Sequence, residues 1–299
     1  MMIPPEPLPP LLGLFPPAAH SPEVARKADR PPHPRLVHYH IFKNAGTSVD
    51  TMLAQNFAED WSCFEGQHAH DGLRCEDAEA LFREQPQLRA ISSHLLRPPL
   101  PHHCLPIVFL RHPALRAYSV YHFTRRDTGQ PFHDIARRYD WKDYLQWMLD
   151  EQRGSVVIRN YQVIHLRDAS WRSRHILDAR ATPDDLAQAC ALLTHWGMVG
   201  IVEDYNRSAR LYQRLYAPLV PGFSFSVHTT NRTAADLDQD DHHAHLERLC
   251  DETGWWLYDA FYRANALDLA LYEHGCQILR QAGDRLLTAD TNAPPAHSG

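Results

Sequence analysis

The segment His40-Ile41-Phe42-Lys43-Asn44-Ala45-Gly46-Thr47-Ser48 brings together a lysine, a turn of small residues and two hydroxyls. Set between a strand and a helix, these residue types suit phosphate binding. The first amides of a helix lack intrahelical partners and carry the positive end of its dipole, so they attract an anion. Gly46 lets that anion approach the backbone, Thr47 and Ser48 add hydroxyl donors, and Lys43 supplies a point charge. A Walker A loop carries its lysine after the last glycine, whereas Lys43 stands three residues before Gly46, which argues against an ordinary P-loop ATPase. The same residues also fit an exposed lysine followed by a Thr-Ser helix cap.

A second cationic stretch runs from Arg111-His112-Pro113 to Ser119. An arginine at the C-terminal end of a parallel strand faces the crevice where open α/β sheets bind ligands. With a serine on the following helix, it can hold a second phosphate through charge-assisted hydrogen bonds. The alternatives are a strand-end salt bridge for Arg111 and an ordinary helical serine for Ser119.

These groups need elements to position them. Leu36 to Ile41 has strand length and β-favouring residues, and the helix after Gly46 presents Val49, Met52, Leu53 and Phe57 on one face. Pro106 to Leu110 is a buried-strand run, followed by Pro113 in the first turn of a helix. Leu88 to Ser92 and Met198 to Val202 read as further strands. Pro183-Asp184-Asp185 opens a helix, and Leu211, Leu215 and Tyr216 mark another. Apolar residues recur at helical spacing from Trp141 to Leu149 and from Leu246 to Leu279. Strands alternating with helices predict an α/β fold with a central parallel sheet flanked by helices. Eleven of the 23 prolines stand before residue 35, so residues 1–34 read as an extended, flexible arm. The expected domain spans residues 35–282, with a flexible tail at 283–299.

The composition, 44% hydrophobic and 22% charged over 299 residues, excludes wholesale disorder. A net charge of −6 offers no basic field for nucleic acid. No apolar run of membrane length and no signal peptide is visible, which sets the expectation of a cytoplasmic, bacterial protein. The six cysteines lack metal-ligand spacing and are expected as thiols, although Cys63 and Cys75 could close a short loop. His242, His243 and His245 lack the i, i+4 pairing of a zinc helix and read as a solvated face.

The K-x-x-G-T-S loop and the stretch from Phe109 to Tyr121, F-L-R-x-P-x-x-R-A-x-S-x-Y, together resemble the sulfotransferases that use 3′-phosphoadenosine 5′-phosphosulfate (PAPS). The likeness is greatest to the carbohydrate-type branch, whose first motif usually reads H-I-P-K-T-G-G-T-S. Asn160-Tyr161-Gln162, Val199 to Glu203, and Asn265 to Tyr272 are similar to later segments of that branch in the same order. The chain departs from the pattern at Phe42, Asn44, Ala45 and His112, and Ala45 takes a positive φ less readily than glycine.

The resemblance implies a P-loop-like three-layer fold in which Lys43, Asn44, Ala45, Gly46, Thr47 and Ser48 grip the 5′-phosphosulfate. Arg111 and Ser119 would hold the 3′-phosphate that distinguishes this donor from ATP. Lys43 would stabilise the leaving phosphate, and no metal is needed. His94, emerging after a strand at the same sheet end as Lys43, is the first choice of base for the acceptor hydroxyl, with Glu65, His68 and His70 as rivals or acceptor-binding groups. Trp61, Tyr121, Trp141, Tyr144 and Trp147 fit either a sugar-stacking cleft or a core, with Tyr121 expected among the acceptor-binding residues, and Arg125, Arg126, Arg137 and Arg138 either an anionic glycan or solvent. The expected partner is a small-molecule or oligosaccharide acceptor. A P-loop kinase or nucleotide hydrolase, and a non-catalytic nucleotide- or glycan-binding module, are the alternatives.

Overall fold

A computed structural model of the chain describes residues 33–66, 72–150, 156–167, 180–225 and 242–291. The proline-rich stretch through residue 32 lies outside them. Five strands form one sheet: β1 (Arg35–Tyr39), β2 (Trp61–Cys63), β3 (Ala90–Ser93), β4 (Cys104–Leu110) and β5 (Gly200–Ile201). Their order is β2-β3-β1-β4-β5, and every pairing is parallel. The first strand thus lies in the middle of the sheet, β2 forms one edge, β3 fills the place between them, and β4 and β5 extend the other side. Ligands of open α/β sheets sit at such a switch point, beyond the carboxyl ends of the strands.

All seven residues of β4 are buried, as its unbroken apolar run requires. Pro106 is tolerated there. Two residues on, the Val108 amide donates to the Tyr212 hydroxyl rather than to a strand, so the N–H that proline lacks lies on a side with no strand to receive it.

Helices flank the sheet: α1 (Gly46–Phe57), α2 (Cys75–Glu84), α3 (Pro113–Arg126), α4 (His133–Arg138), α5 (Trp141–Leu149), α6 (Tyr161–Leu166), α7 (Pro183–Trp196), α8 (Tyr205–Tyr216), α9 (His242–Thr253), α10 (Trp255–Ala264) and α11 (Ala266–Thr291). The predicted inner face of α1 is the observed one, with Val49, Met52, Leu53 and Phe57 buried. The helical stretch from Leu246 is three helices, broken at Gly254, where φ is 81°, and at Asn265. The last of them continues through Thr291, past the boundary expected at Ala282, because Ala282 is buried and Leu286 packs on the core. A main core surrounds the sheet. A second gathers α3, α5, α9 and α10 around Val120, Tyr144, Leu257 and Phe261.

All six cysteines are free thiols, and no helix among the described residues is long and apolar enough to cross a membrane. Where β5 meets β4, a Cβ on Gly200 would lie 2.4 Å from the Phe109 ring. Gly200→Ala is expected to lower stability by about 1–3 kcal/mol, from the displacement of a packed ring, as read by urea unfolding.

Candidate anion-binding crevice and base

Because the strands are parallel, their C-terminal ends share one edge. The residues just beyond β1, β2, β3 and β4 include Lys43, Glu65, His94 and Arg111. Register sets the neighbours: Cys63 pairs with Ser92, Tyr39 with Ser93, and Tyr39 with Val108.

The turn after β1 has the left-handed backbone that an anion cradle uses, with φ of 67° at Lys43 and 62° at Ala45. Ala45 thus adopts the conformation expected to resist a Cβ, a local strain of the kind that clusters at binding sites. Helix α1 begins with no side-chain cap and no acidic residue in its first turn. The Thr-Ser cap is not formed: the residue before the helix is Ala45, no side chain caps it, and Thr47 is exposed. Among the described residues, the amides of Ala45, Gly46 and Thr47 have no hydrogen-bond acceptor. Two residues of the turn differ from expectation. Gly46 is needed for packing inside the protein, because a Cβ there would lie 1.7 Å from the His40 ring. Asn44 faces inward: its amide donates to Ile41 O at 3.1 Å, and its Nδ2 donates to Phe109 O at 2.8 Å and Gln162 Oε1 at 2.7 Å. Its donors are spent on the fold, so it does not serve as an anion ligand.

Gln162, fully buried, ties this turn to the end of β4. Its Oε1 also accepts from the Arg111 amide at 2.9 Å, and its Nε2 donates to Arg111 O at 2.9 Å. Asp268 receives the amides of Gln162 and Val163, and Asn160 Oδ1 receives those of Leu267 and Asp268. The short segments around Asn160 and Asn265 are therefore one interlocked polar network. Burial is the largest influence on the Asp268 carboxyl and pushes its pKa up, partly opposed by Arg116 and these amides.

Arg111 Nη1 donates to Lys43 O at 3.3 Å, and its Nε lies 3.9 Å from Glu203 Oε1. Glu203 also accepts from the His112 amide at 3.1 Å, so the strand-end salt bridge and the orientation toward the turn coexist. The Lys43 ammonium sits 4.3 Å from the centroid of Phe123 on α3, a cation–π contact that holds the charge against that helix. Ser119 is one turn before Phe123 on the same face of that helix. Lys43, Arg111 and Ser119 are thus brought to one side of the sheet edge.

On the other side, the His94 Nδ1 and amide both lie 2.9 Å from Glu65 Oε1. A carboxylate only accepts, so Nδ1 carries a proton, and in the neutral ring the lone pair is on Nε2. Glu65 is the partner of His94 rather than its rival. Arg97, buried, donates from Nη1 to His94 O at 2.8 Å and Leu96 O at 3.0 Å, fixing the turn that presents His94; burial lowers its pKa to about 10. His68 and His70 lie outside the described residues. Tyr121 is not an acceptor contact. It is 4% exposed, donates to Tyr139 O and packs against Trp141 and Tyr144, because the helical spacing of these aromatics builds the second core. The histidines of α9 are not simply solvated either: His245 meets Tyr118 edge to face, with ring centroids 5.6 Å apart.

Behind His94, Asp50 bonds His38 Nδ1 at 3.0 Å and His40 Nδ1 at 3.1 Å. Among the described residues, this is the cluster whose spacing would also suit a metal ion, and the hydrogen bonds account for its arrangement. Burial raises the Asp50 carboxyl, yet the bonds and charges of the two histidines together outweigh it and hold it below the usual carboxylate range.

A scan against models of known protein families finds no match. The chain is similar to an uncharacterized protein of Archaeoglobus fulgidus, 28% identical over 250 residues, which cover 80% of this chain and 94% of that protein.

Ala45→Gly should relieve the left-handed strain and raise stability by about 1 kcal/mol in chemical unfolding, leaving the turn in place. Burial lowers the pKa of both His38 and His112 to about 4. Their unfolded forms bind a proton near 6.5 while the folded forms do not, so stability falls as pH drops from about 6.5 toward 4, by roughly 1.4 kcal/mol per pH unit for each group. A melting-temperature series over this range should show a shallower slope in His112→Asn.

Proposed function

We propose that this chain is a PAPS-dependent sulfotransferase with a P-loop-like fold, transferring a sulfuryl group to a hydroxyl of a carbohydrate or glycan-like acceptor. One observation carries the reading: two anion-binding stretches far apart in sequence are tied to the same sheet edge through Gln162, with Arg111 reaching the carbonyl of Lys43. A donor with phosphate at both the 3′ and 5′ positions of its ribose needs such a pair.

In this reading the unpartnered amides of Ala45, Gly46 and Thr47 receive the 5′-phosphosulfate, while Arg111 and Ser119 receive the 3′-phosphate. Lys43 offsets the charge that develops on the leaving phosphate oxygen. His94, oriented by Glu65, takes the acceptor proton at Nε2 as the acceptor oxygen bonds to sulfur and the sulfur–phosphate oxygen bond breaks. The products are the sulfate ester and adenosine 3′,5′-bisphosphate. The protein contributes mainly position and charge.

A kinase or nucleotide hydrolase would need an acidic side chain after a strand to hold Mg²⁺. Glu203 follows β5, but it is committed to Arg111 and the His112 amide. A non-catalytic module would have no use for an oriented His94–Glu65 pair.

Isothermal titration without Mg²⁺ tests the assignment. Adenosine 3′,5′-bisphosphate should bind at least about tenfold more tightly than ADP, the difference expected of one charged hydrogen-bonded phosphate. Lys43→Ala should abolish transfer of labelled sulfuryl group with an unchanged circular dichroism spectrum. Equal binding of the two nucleotides, or full transfer by Lys43→Ala, contradicts the reading.

A further inference from the structure

His40 stands directly beside His94, because Tyr39 and Ser93 are paired at the ends of β1 and β3 and the His40 amide donates to Ser93 O at 2.9 Å. The two imidazoles are stacked, with centroids 3.7 Å apart and planes at 28°. His40 is itself held by Asp50 Oδ2 through Nδ1, and its opposite edge fills the space a side chain on Gly46 would occupy. One ring thus touches the base on one side and the first turn of α1 on another.

A hydrogen bond at Nδ1 alone does not fix an imidazole. Glu65 sets the direction of the His94 Nδ1–H bond but leaves the ring free to tilt about that bond, and Nε2 would swing with it. A flat neighbour against the ring face removes this freedom. His94 needs such support, since its side chain is 43% exposed and that of Glu65 is 39% exposed. His40, by contrast, is 9% exposed and bonded to a carboxylate held in its charged form.

We infer that His40, locked by Asp50, is a positioning residue that aims Nε2 of His94 and wedges the anion-binding turn at the same time. The inference rests on the reading of His94 as the base. It gives the Asp50–His40 pair the role of holding the flat face against which His94 rests.

Two space-filling substitutions separate stacking from bulk. In the full chain, the His94 Nδ1 proton, bonded to Glu65, should give a downfield proton resonance. His40→Phe keeps a flat face and should retain that resonance; His40→Leu fills the space without a flat face and should lose it. Retention in His40→Leu, or loss in both variants, overturns the positioning role.

The wedge is tested by a second cycle, with adenosine 3′,5′-bisphosphate as the probe. Gly46→Ala should weaken binding at least about tenfold, and His40→Ala placed on top should restore it to within about threefold of His40→Ala alone. Equal weakness with and without His40 overturns the wedge. If the nucleotide binds no form of the protein while the Phe and Leu variants still differ in the resonance, the positioning role stands and the donor assignment falls.

Discussion

The carboxamide of Gln162 is the contact on which the crevice depends. It accepts from Asn44 in the first turn and exchanges two hydrogen bonds with the main chain of Arg111, so three distant stretches meet on one buried group. Each bond contributes only about 1 kcal/mol net, but a donor left unpaired in this dry setting would cost more than that. The network is therefore cooperative in kind. Asp268 and Asn160 complete it from α11 and the start of α6, which is why short polar segments far apart in the chain serve one place.

Around that anchor, the sheet edge has an uneven distribution of donors and charge. Helix α7 opens on a reciprocal cap between Thr182 and Asp185, and at α2 the Asp77 carboxylate accepts the Arg74 amide, whereas α1 opens on a strained alanine with no cap. Lys43 and Arg111 add positive charge beside those open amides, although the chain as a whole carries −6. Local placement, not overall charge, sets the sign of this edge. On the neighbouring strands the groups differ in kind: a histidine, the carboxylate bonded to it and a second histidine stacked on its ring.

Much of this was legible in the sequence. The buried runs of β1 and β4, the helix after Gly46 and the parallel class followed from apolar periodicity and strand–helix alternation, and the lysine turn and Arg111 stood out by type and position. What escaped was set by tertiary contacts. Strand β2 has three residues, too few for a period, and without it Glu65 could not be paired with His94. In hindsight its register held the signal: Cys63 pairs with Ser92, and Glu65 and His94 each lie two residues further on. The spacing of Leu73, Ala78, Leu81 and Phe82 could likewise have revealed α2. Asn44 and Gly46 looked like ligand-facing residues because their types allow it; their inward roles depend on Gln162 and His40, which no local pattern shows. Tyr121 was misassigned because an aromatic on a helix looks the same in a cleft and in a core.

A crystal structure of the protein with adenosine 3′,5′-bisphosphate tests the central claim most directly. The account predicts the 5′-phosphate within hydrogen-bond distance of the amides of Ala45, Gly46 and Thr47, and the 3′-phosphate on Arg111 and Ser119, with Gln162 still joined to both stretches. A nucleotide bound away from this edge, or one that touches the first turn while its 3′-phosphate points into solvent, would contradict it.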